Sequence, residues 1–157
     1  KCKHHMDRIT LITKPSVKDK FFMERALSKA RMSPEKKTFR VGCVVVDASG
    51  REVATGYTAE RDGCHAEETA LTKLSPEDAR GGTVYSTLEP CFPRLSGKKS
   101  CAERIIESGI SRVVYAAKEP PVFVKCQGTK KLREAGILVE TMPELAPAVE
   151  ELNPDLF

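Results

Sequence analysis

Tryptophan is absent from the 157 residues of the chain, and aromatic residues make up only 6% of them. Proteins that bind single-stranded nucleic acid stack bases on aromatic side chains, so this composition disfavours nucleic acid as a partner. No run of 18 or more apolar residues occurs, which excludes a transmembrane helix and argues against a membrane partner. The first residues also lack the apolar segment of a secretory signal peptide.

Histidine is scarce as well: the chain has three, and two of them stand within the first six residues. His4-His5-Met6 resembles the remnant of an affinity tag joined to an initiator methionine, so these two histidines are left out of the candidate site. His65 is then the single histidine on which metal or acid–base chemistry could rest.

The length is that of one globular domain, and 40% hydrophobic residues suffice for a single core. The net charge is +4, and the five acids after residue 139 have no Lys or Arg among them, so the basic excess lies in the preceding part. The positive charge of this preceding part favours an anionic ligand. We expect an N-terminal tail over residues 1–15, one domain over 16–142 and an acidic C-terminal tail over 143–157.

The chain has six cysteines but no sign of a secretion signal. In the reducing cytosol, cysteines are metal ligands or small buried side chains more often than disulfide partners. The pattern therefore predicts a cytoplasmic protein whose thiols are available to a metal.

The hydrophobic pattern predicts alternating helices and strands. Helical spacing of apolar residues predicts helices over residues 17–31, 65–74, 100–108 and 129–135. Strands are expected over 41–47, 52–58, 82–88, 112–117 and 137–141, and a short turn joins the first two into an antiparallel hairpin. The later helix–strand alternation implies right-handed crossovers and parallel pairing. The predicted fold class is α/β, a three-layer αβα sandwich around a five-stranded mixed sheet.

Four residues at or near predicted helix starts have the chemistry of a metal site: His65, Glu67, Cys91 and Cys101. Zinc prefers imidazole and thiolate ligands, and a catalytic zinc keeps one of its four positions for water. The histidine and the two cysteines supply three ligands, and two thiolates neutralise the charge of the ion. Glu67 lies two residues from His65, close enough to carry protons at the metal without binding it. The sequence thus predicts one Zn²⁺ per chain and a catalytic Glu67.

These motifs resemble those of the zinc-dependent cytidine-deaminase-like enzymes, in which H-x-E is followed by P-C-x-x-C. Here nine residues, not two, separate Cys91 from Cys101. A T-L-E-P-C motif followed by a longer Gly-containing loop is typical of the riboflavin-pathway pyrimidine deaminases. The stretches Arg94-Leu95-Ser96-Gly97, Cys101–Ile105 and Phe123–Lys125 resemble the deaminase domain of the fungal enzyme most closely.

The resemblance implies that His65, Cys91 and Cys101 hold zinc and that Glu67 moves protons. The expected reaction is hydrolytic deamination of a 2,5-diamino-6-ribitylamino- or ribosylamino-pyrimidinone 5′-phosphate, giving the 5-aminouracil derivative and ammonia. Relatives are often oligomers, so a homodimer is expected. Bacterial relatives have an Asn-Pro pair before the first strand, where the Asn contacts substrate, whereas this chain has Thr38-Phe39.

A phosphorylated substrate needs cationic or backbone donors. The loop between the two cysteines passes near the metal and carries three cations, which we predict to contact the phosphate or the sugar chain: Arg94, Lys98 and Lys99. Thr38, Arg40 and Lys125 are further candidates for substrate contact.

Two other classes of function stay open at this point. An enzyme that deaminates cytosine or adenine in RNA, DNA or nucleosides would share the zinc motif, although a nucleic-acid enzyme would need a basic channel with stacking aromatics. A non-catalytic module stabilised by zinc would need the three ligands but not Glu67. Metal content, turnover and substrate class distinguish these possibilities.

Overall fold

The computed structural model describes residues 16–35, 38–123 and 125–157. The tail predicted over residues 1–15, with His4 and His5, lies outside the described residues. The predicted boundaries of the domain and of the acidic tail stay predictions.

The first two strands form the predicted hairpin. Strand β1 (Gly42–Val46) pairs antiparallel with β2 (Glu52–Tyr57). Asp47 stabilises the connection, because its Oδ1 accepts hydrogen bonds from the backbone N–H groups of Ser49 and Arg51, both at 3.0 Å. Gly50 takes a positive φ of 91° in this turn, a conformation that glycine adopts without steric cost.

The sheet has the strand order β2-β1-β3-β4-β5, with β3 (Thr83–Leu88), β4 (Arg112–Ala117) and β5 (Leu138–Thr141). Strand β1 is antiparallel to both of its neighbours, whereas β3, β4 and β5 are parallel. All five residues of β1 are buried, as expected for a strand covered on both faces. The predicted five-stranded mixed sheet is confirmed.

Two glycines show that helices cover both faces of the sheet. A Cβ on Gly42 would clash with the backbone of α1 (Val17–Ala30), and a Cβ on Gly56 would clash with that of α2 (Ala66–Thr72). Gly56 pairs with Cys43, the residue after Gly42, and successive residues of a strand point to opposite faces. Helices α1 and α2 therefore lie on opposite faces at close range, which confirms the three layers.

The remaining helices complete these layers. They are α3 (Pro76–Ala79), α4 (Cys101–Ser108), α5 (Gly128–Glu134), a 3₁₀ turn (Pro143–Leu145) and α6 (Ala146–Leu152). Helix α4 contacts α2 and α5 on one side of the sheet, and α6 contacts α1 on the other. The sequence analysis predicted neither α3 nor α6. The acidic segment after residue 142 is anchored to the domain, because Val149 of α6 is fully buried.

A buried ionic network joins α1 to the sheet. Asp19, in the first turn of α1, accepts two hydrogen bonds from the Arg112 guanidinium, both at 2.8 Å, and one from the Tyr85 hydroxyl at 2.6 Å. Arg112 also donates to Glu140 at 2.8 Å. The network fixes α1 across three strands of the sheet.

None of the helices in the described part of the chain is long and apolar enough to cross a membrane.

Candidate metal centre

His65 is placed by the start of a short helix. It is the N-cap residue of α2, and its backbone N–H donates to the Glu68 carboxylate at 3.2 Å. The close contact between α2 and Gly56 fixes this helix on the sheet. The backbone position of His65, which carries the imidazole, is therefore fixed.

The two cysteines come from the end of β3 and the start of α4. Cys91 follows β3 by three residues, and Cys101 is the first residue of α4, which begins with a capping box at Ser100. The Cys101 N–H points at Cys91 Sγ over 3.4 Å, and the Ala102 N–H donates to the Cys91 carbonyl at 3.2 Å. These bonds bring the two thiols together although nine residues separate them in sequence.

The three predicted ligand atoms converge. His65 Nδ1 lies 3.6 Å from Cys91 Sγ and 3.4 Å from Cys101 Sγ, and all three atoms lie within 4.8 Å of one another. Tetrahedral zinc with ordinary Zn–S and Zn–N bonds requires N···S separations of about 3.5 Å. A hydrogen bond from Cys101 and the neighbouring His65 lower the pKa of Cys91 despite its burial, which favours the thiolate that zinc needs. The donor set and its spacing fit one zinc ion.

Glu67 lies beside this cluster, buried, with 4% of its surface exposed. Its Oε1 accepts a hydrogen bond from the Ser86 hydroxyl at 2.6 Å, and burial raises the pKa of the carboxyl. Ser86 Oγ also lies 2.8 Å from the Leu88 carbonyl oxygen. A hydroxyl has one hydrogen but can also accept, so Ser86 can donate to a Glu67 carboxylate or accept from a Glu67 carboxylic acid while donating to Leu88.

The loop between the cysteines is tied to α2 by buried charge. Arg94 donates to Glu68 Oε1 at 3.0 Å and to the Gly63 carbonyl at 3.1 Å, and its side chain is 5% exposed. Arg104 of α4 contacts the other Glu68 oxygen at 3.0 Å. Arg94 lines the cavity, but its guanidinium is engaged mainly by Glu68 and by carbonyl groups. Its predicted phosphate contact stays a prediction.

Of the other residues predicted to contact the substrate, two line the cavity at the metal cluster, Lys98 and Thr38. Lys99 donates to Glu107 at 2.7 Å. Arg40 donates to the Ser33 and Arg31 carbonyls. Lys125 is exposed, and like Lys99 and Arg40 it does not belong to the described lining of the cavity.

A cavity of about 660 Å³ opens at the cluster. His65, Glu67 and Cys91 line it, and Phe39 and Phe123 supply aromatic surface. The two rings touch edge to face with centroids 5.7 Å apart. This volume is typical of a site for a small organic molecule.

Glu89, which precedes Pro90 and Cys91, anchors the end of β3 to α5. Its Oε2 accepts from the Thr129 backbone N–H at 3.2 Å and from the Thr129 hydroxyl at 2.5 Å. The Tyr115 hydroxyl lies 2.9 Å from the same Thr129 oxygen. This chain of bonds holds the backbone that presents Cys91.

The comparisons with known proteins agree with this geometry. Residues 16–117 match the cytidine and deoxycytidylate deaminase zinc-binding region. A diaminohydroxyphosphoribosylamino-pyrimidine deaminase of Schizosaccharomyces pombe is 44% identical over 124 residues, which are 75% of this chain and 30% of that protein. A protein of the same name from Buchnera aphidicola subsp. Schizaphis graminum is 36% identical over 126 residues, which are 79% of this chain and 84% of that protein.

Solved structures show the same fold. The Rib2 deaminase of Aspergillus oryzae in complex with DARIPP has a TM-score of 0.75 and 31% identity, over 86% of this chain and 89% of that one. The chain spans only about a third of the first curated relatives that it matches. The resemblance seen in H-x-E and T-L-E-P-C is confirmed: the chain belongs to the zinc-binding cytidine and deoxycytidylate deaminase family, among the diaminohydroxyphosphoribosylamino-pyrimidine deaminases.

Proposed function

We propose that the chain catalyses the hydrolytic deamination of a 2,5-diamino-6-ribitylamino- or ribosylamino-pyrimidinone 5′-phosphate in riboflavin biosynthesis. Water replaces one exocyclic amine, and the products are the 5-aminouracil derivative and ammonia. One observation carries the proposal: the ligand atoms of His65, Cys91 and Cys101 converge beside the buried Glu67 in the wall of a cavity.

In this proposal His65, Cys91 and Cys101 hold the zinc ion. A zinc ion with three protein ligands supplies a Lewis acid and lowers the pKa of water in its fourth position to about 7. The described residues present no fourth ligand in the cluster, which fits a site open to solvent on one side.

Glu67 carries the protons. Its carboxylate accepts a proton from the attacking water and passes it to the ring nitrogen beside the reacting carbon. It then accepts the second proton from the new hydroxyl group on that carbon and passes it to the amine, which leaves as ammonia while the carbonyl forms. Burial and the raised pKa of Glu67 suit a group that must both accept and donate a proton near neutral pH. Ser86 supports both states, because its hydroxyl can donate to the carboxylate or accept from the acid.

The substrate class is supported by the relatives and by the cavity. The S. pombe and B. aphidicola relatives are named as deaminases of a phosphorylated diaminopyrimidine, and the A. oryzae structure is a complex with DARIPP. The cavity offers aromatic surface for a ring, and Lys98 and Thr38 at its wall are the residues that we propose for the phosphate and sugar chain. Arg40, Lys99 and Lys125 stay predictions.

A parallel assay tests this function. The zinc-loaded protein is incubated with the diaminopyrimidinone 5′-phosphate, with cytidine and dCMP, and with cytosine-containing oligonucleotides, and ammonia is measured. We expect ammonia from the first substrate. Release from an oligonucleotide alone would support an editing deaminase, and release from none would support a binding module.

Two further proposals concern the state of the protein. A homodimer is supported by the exposed apolar side chains Val17 and Phe21, which lie one turn apart on α1. Light scattering after size exclusion tests this, and a monomer at micromolar concentration would contradict it. A cytoplasmic location is supported by the zinc thiolates, which need a reducing compartment.

A further inference from the structure

We propose that Glu119 is a specificity-determining residue, whose carboxylate accepts hydrogen bonds from the N–H groups that stay on the pyrimidine after deamination. The inference rests on the proposed function and deepens it. Glu119 belongs to the loop after β4, which carries none of the metal ligands.

The topology places Glu119 beside Cys91. Strands β3 and β4 are parallel, with Leu88 paired to Ala117, and the Glu89 N–H donates to the Ala117 carbonyl at 2.8 Å. The segments that follow the two strands therefore leave the same edge of the sheet side by side. Glu119 lies two residues after Ala117, and Cys91 lies three residues after Leu88. Both residues line the cavity.

Glu119 differs from the other acids around the metal cluster in its hydrogen bonding. Glu67 has Ser86, Glu68 has Arg94 and Glu89 has Thr129 as donors. The thiol of Cys126 is a weak donor to the Glu119 carboxyl, and within the part of the chain that the structure describes its buried Oε2 has no hydrogen-bond partner by distance and angle. A buried polar atom without a partner costs free energy, and in a native protein it calls for an explanation such as a catalytic role or a bound water, ion or ligand.

The electrostatic surroundings of Glu119 favour a ligand that donates. Burial raises the pKa of Glu119 to about 7 against the opposing hydrogen bond of Cys126, and the negative charges of Glu67 and Glu89 add to the rise. An N–H donor placed against the carboxylate would offset this destabilisation of its charged form. Because the charge is partly desolvated, a hydrogen bond to it is stronger than one between neutral groups.

The proposed substrate carries suitable donors. Its pyrimidine has a second exocyclic amine, and the side chain is attached through another N–H. Glu67 protonates the amine that leaves. Glu119 therefore accepts hydrogen bonds from the N–H groups that stay on the pyrimidine. These donors are present in substrate and product alike, whereas the leaving amine is present in the substrate alone. Glu119 should therefore contribute equally to the binding of both molecules.

The experiment compares the zinc-loaded wild type with Glu119→Gln, which keeps the size of the side chain but removes its charge. Glu77→Gln, an exposed acid of α3, is the matched control. Steady-state kinetics give kcat and KM for the diaminopyrimidinone 5′-phosphate, and calorimetry gives the Kd of the deaminated product. Zinc content and thermal unfolding are measured on every variant, and Glu119→Asp is tested in addition.

We expect Glu119→Gln to raise KM and the product Kd together by about 10-fold or more, with kcat nearly unchanged, and the control to match the wild type. Unchanged product binding would overturn the inference, as would a fall in kcat alone, which would place Glu119 at the leaving amine. If Glu119→Gln loses fold or zinc, the same comparison on Glu119→Asp decides. A wild type that neither binds nor deaminates the pyrimidine would overturn the proposed function, and the inference with it.

Discussion

Arg94 and Glu68 form a buried ion pair, with 3.0 Å between the guanidinium and the carboxylate, that fastens the loop between the two cysteines to the helix after His65. Glu68 follows Glu67 directly, and its other oxygen contacts Arg104 of α4. One carboxylate therefore links the histidine helix, the inter-cysteine loop and the helix that begins with Cys101. The loop is long, but this pair restricts it close to the metal site.

Glu68→Gln should destabilise the protein by about 3 kcal/mol, because it leaves the Arg94 guanidinium buried without its counter-charge. Urea unfolding of the zinc-loaded protein measures this. The control is Glu107→Gln, which removes the exposed pair with Lys99 and should cost less than about 1 kcal/mol. Equal losses for the two variants would show that the buried pair does not stabilise the loop.

Glu67→Gln should retain zinc and the fold but lose turnover by at least about 10²-fold, because the amide cannot carry protons. Metal analysis, thermal unfolding and ammonia release are measured on the same preparation. Glu52→Gln, which alters a surface carboxylate paired with Arg25, is the control. A Glu67 variant with wild-type turnover would contradict the role of the carboxyl.

Ser86→Ala should lower kcat by about 10-fold to 100-fold while KM and zinc content change little. The substitution removes the donor at 2.6 Å from Glu67 Oε1, and a hydrogen bond to a charged group is worth about 1.5–3 kcal/mol. Ser111→Ala serves as the control, because Ser111 is exposed, precedes β4 and donates to the Gly81 carbonyl away from Glu67. If kcat is unchanged in the Ser86 variant, the hydroxyl does not support the proton carrier.

Asp19 should make stability depend on pH at the acid end. Burial opposes ionisation, but hydrogen bonds from Arg112, Tyr85 and Ser16 outweigh it and hold the pKa of Asp19 well below its ordinary value. The stabilisation is therefore fully present above the unfolded-state pKa of about 3.9 and is lost as the pH falls towards the folded-state value. Thermal unfolding of zinc-loaded wild type between pH 6 and pH 3, in roughly half-unit steps, measures the loss.

Asp19→Asn separates this effect from acid release of the metal. The variant should be less stable at neutral pH, and the difference from the wild type should shrink below about pH 4, where Asp19 of the unfolded wild type begins to take up a proton while the folded state keeps it ionised. A difference that stays constant down to pH 3 would show that Asp19 does not account for the acid sensitivity.

Much of the fold follows from local patterns. The alternation of apolar residues located all five strands within one or two residues, and helix α1 was predicted at 17–31 and ends at Ala30. Helix α3 has only four residues, too few for a periodic signal. Helix α6 was missed because it is short and contains Pro147, and the burial of Val149 depends on α1 and β4, which are distant in sequence.

The site residues that belong to rare sequence motifs were predictable, whereas those of common residue types that depend on distant contacts were not. A single internal histidine and a T-L-E-P-C motif identify His65, Glu67 and Cys91 from sequence. Ser86 lies within an apolar strand and carries no local signal of its contact with Glu67. Arg94 looks like a free cation in sequence, and its partner Glu68 is 26 residues away. Glu119 was missed because its position depends on the parallel pairing of β3 and β4.

Crystallography of the zinc-loaded protein, with anomalous diffraction recorded at the zinc absorption edge, tests the central claim most directly. The account predicts a single anomalous peak about 2.0–2.3 Å from His65 Nδ1 and from the sulfur atoms of Cys91 and Cys101, with Glu67 beside the metal but not bound to it. A peak elsewhere, or a fourth protein atom within bonding distance of the metal, would contradict it.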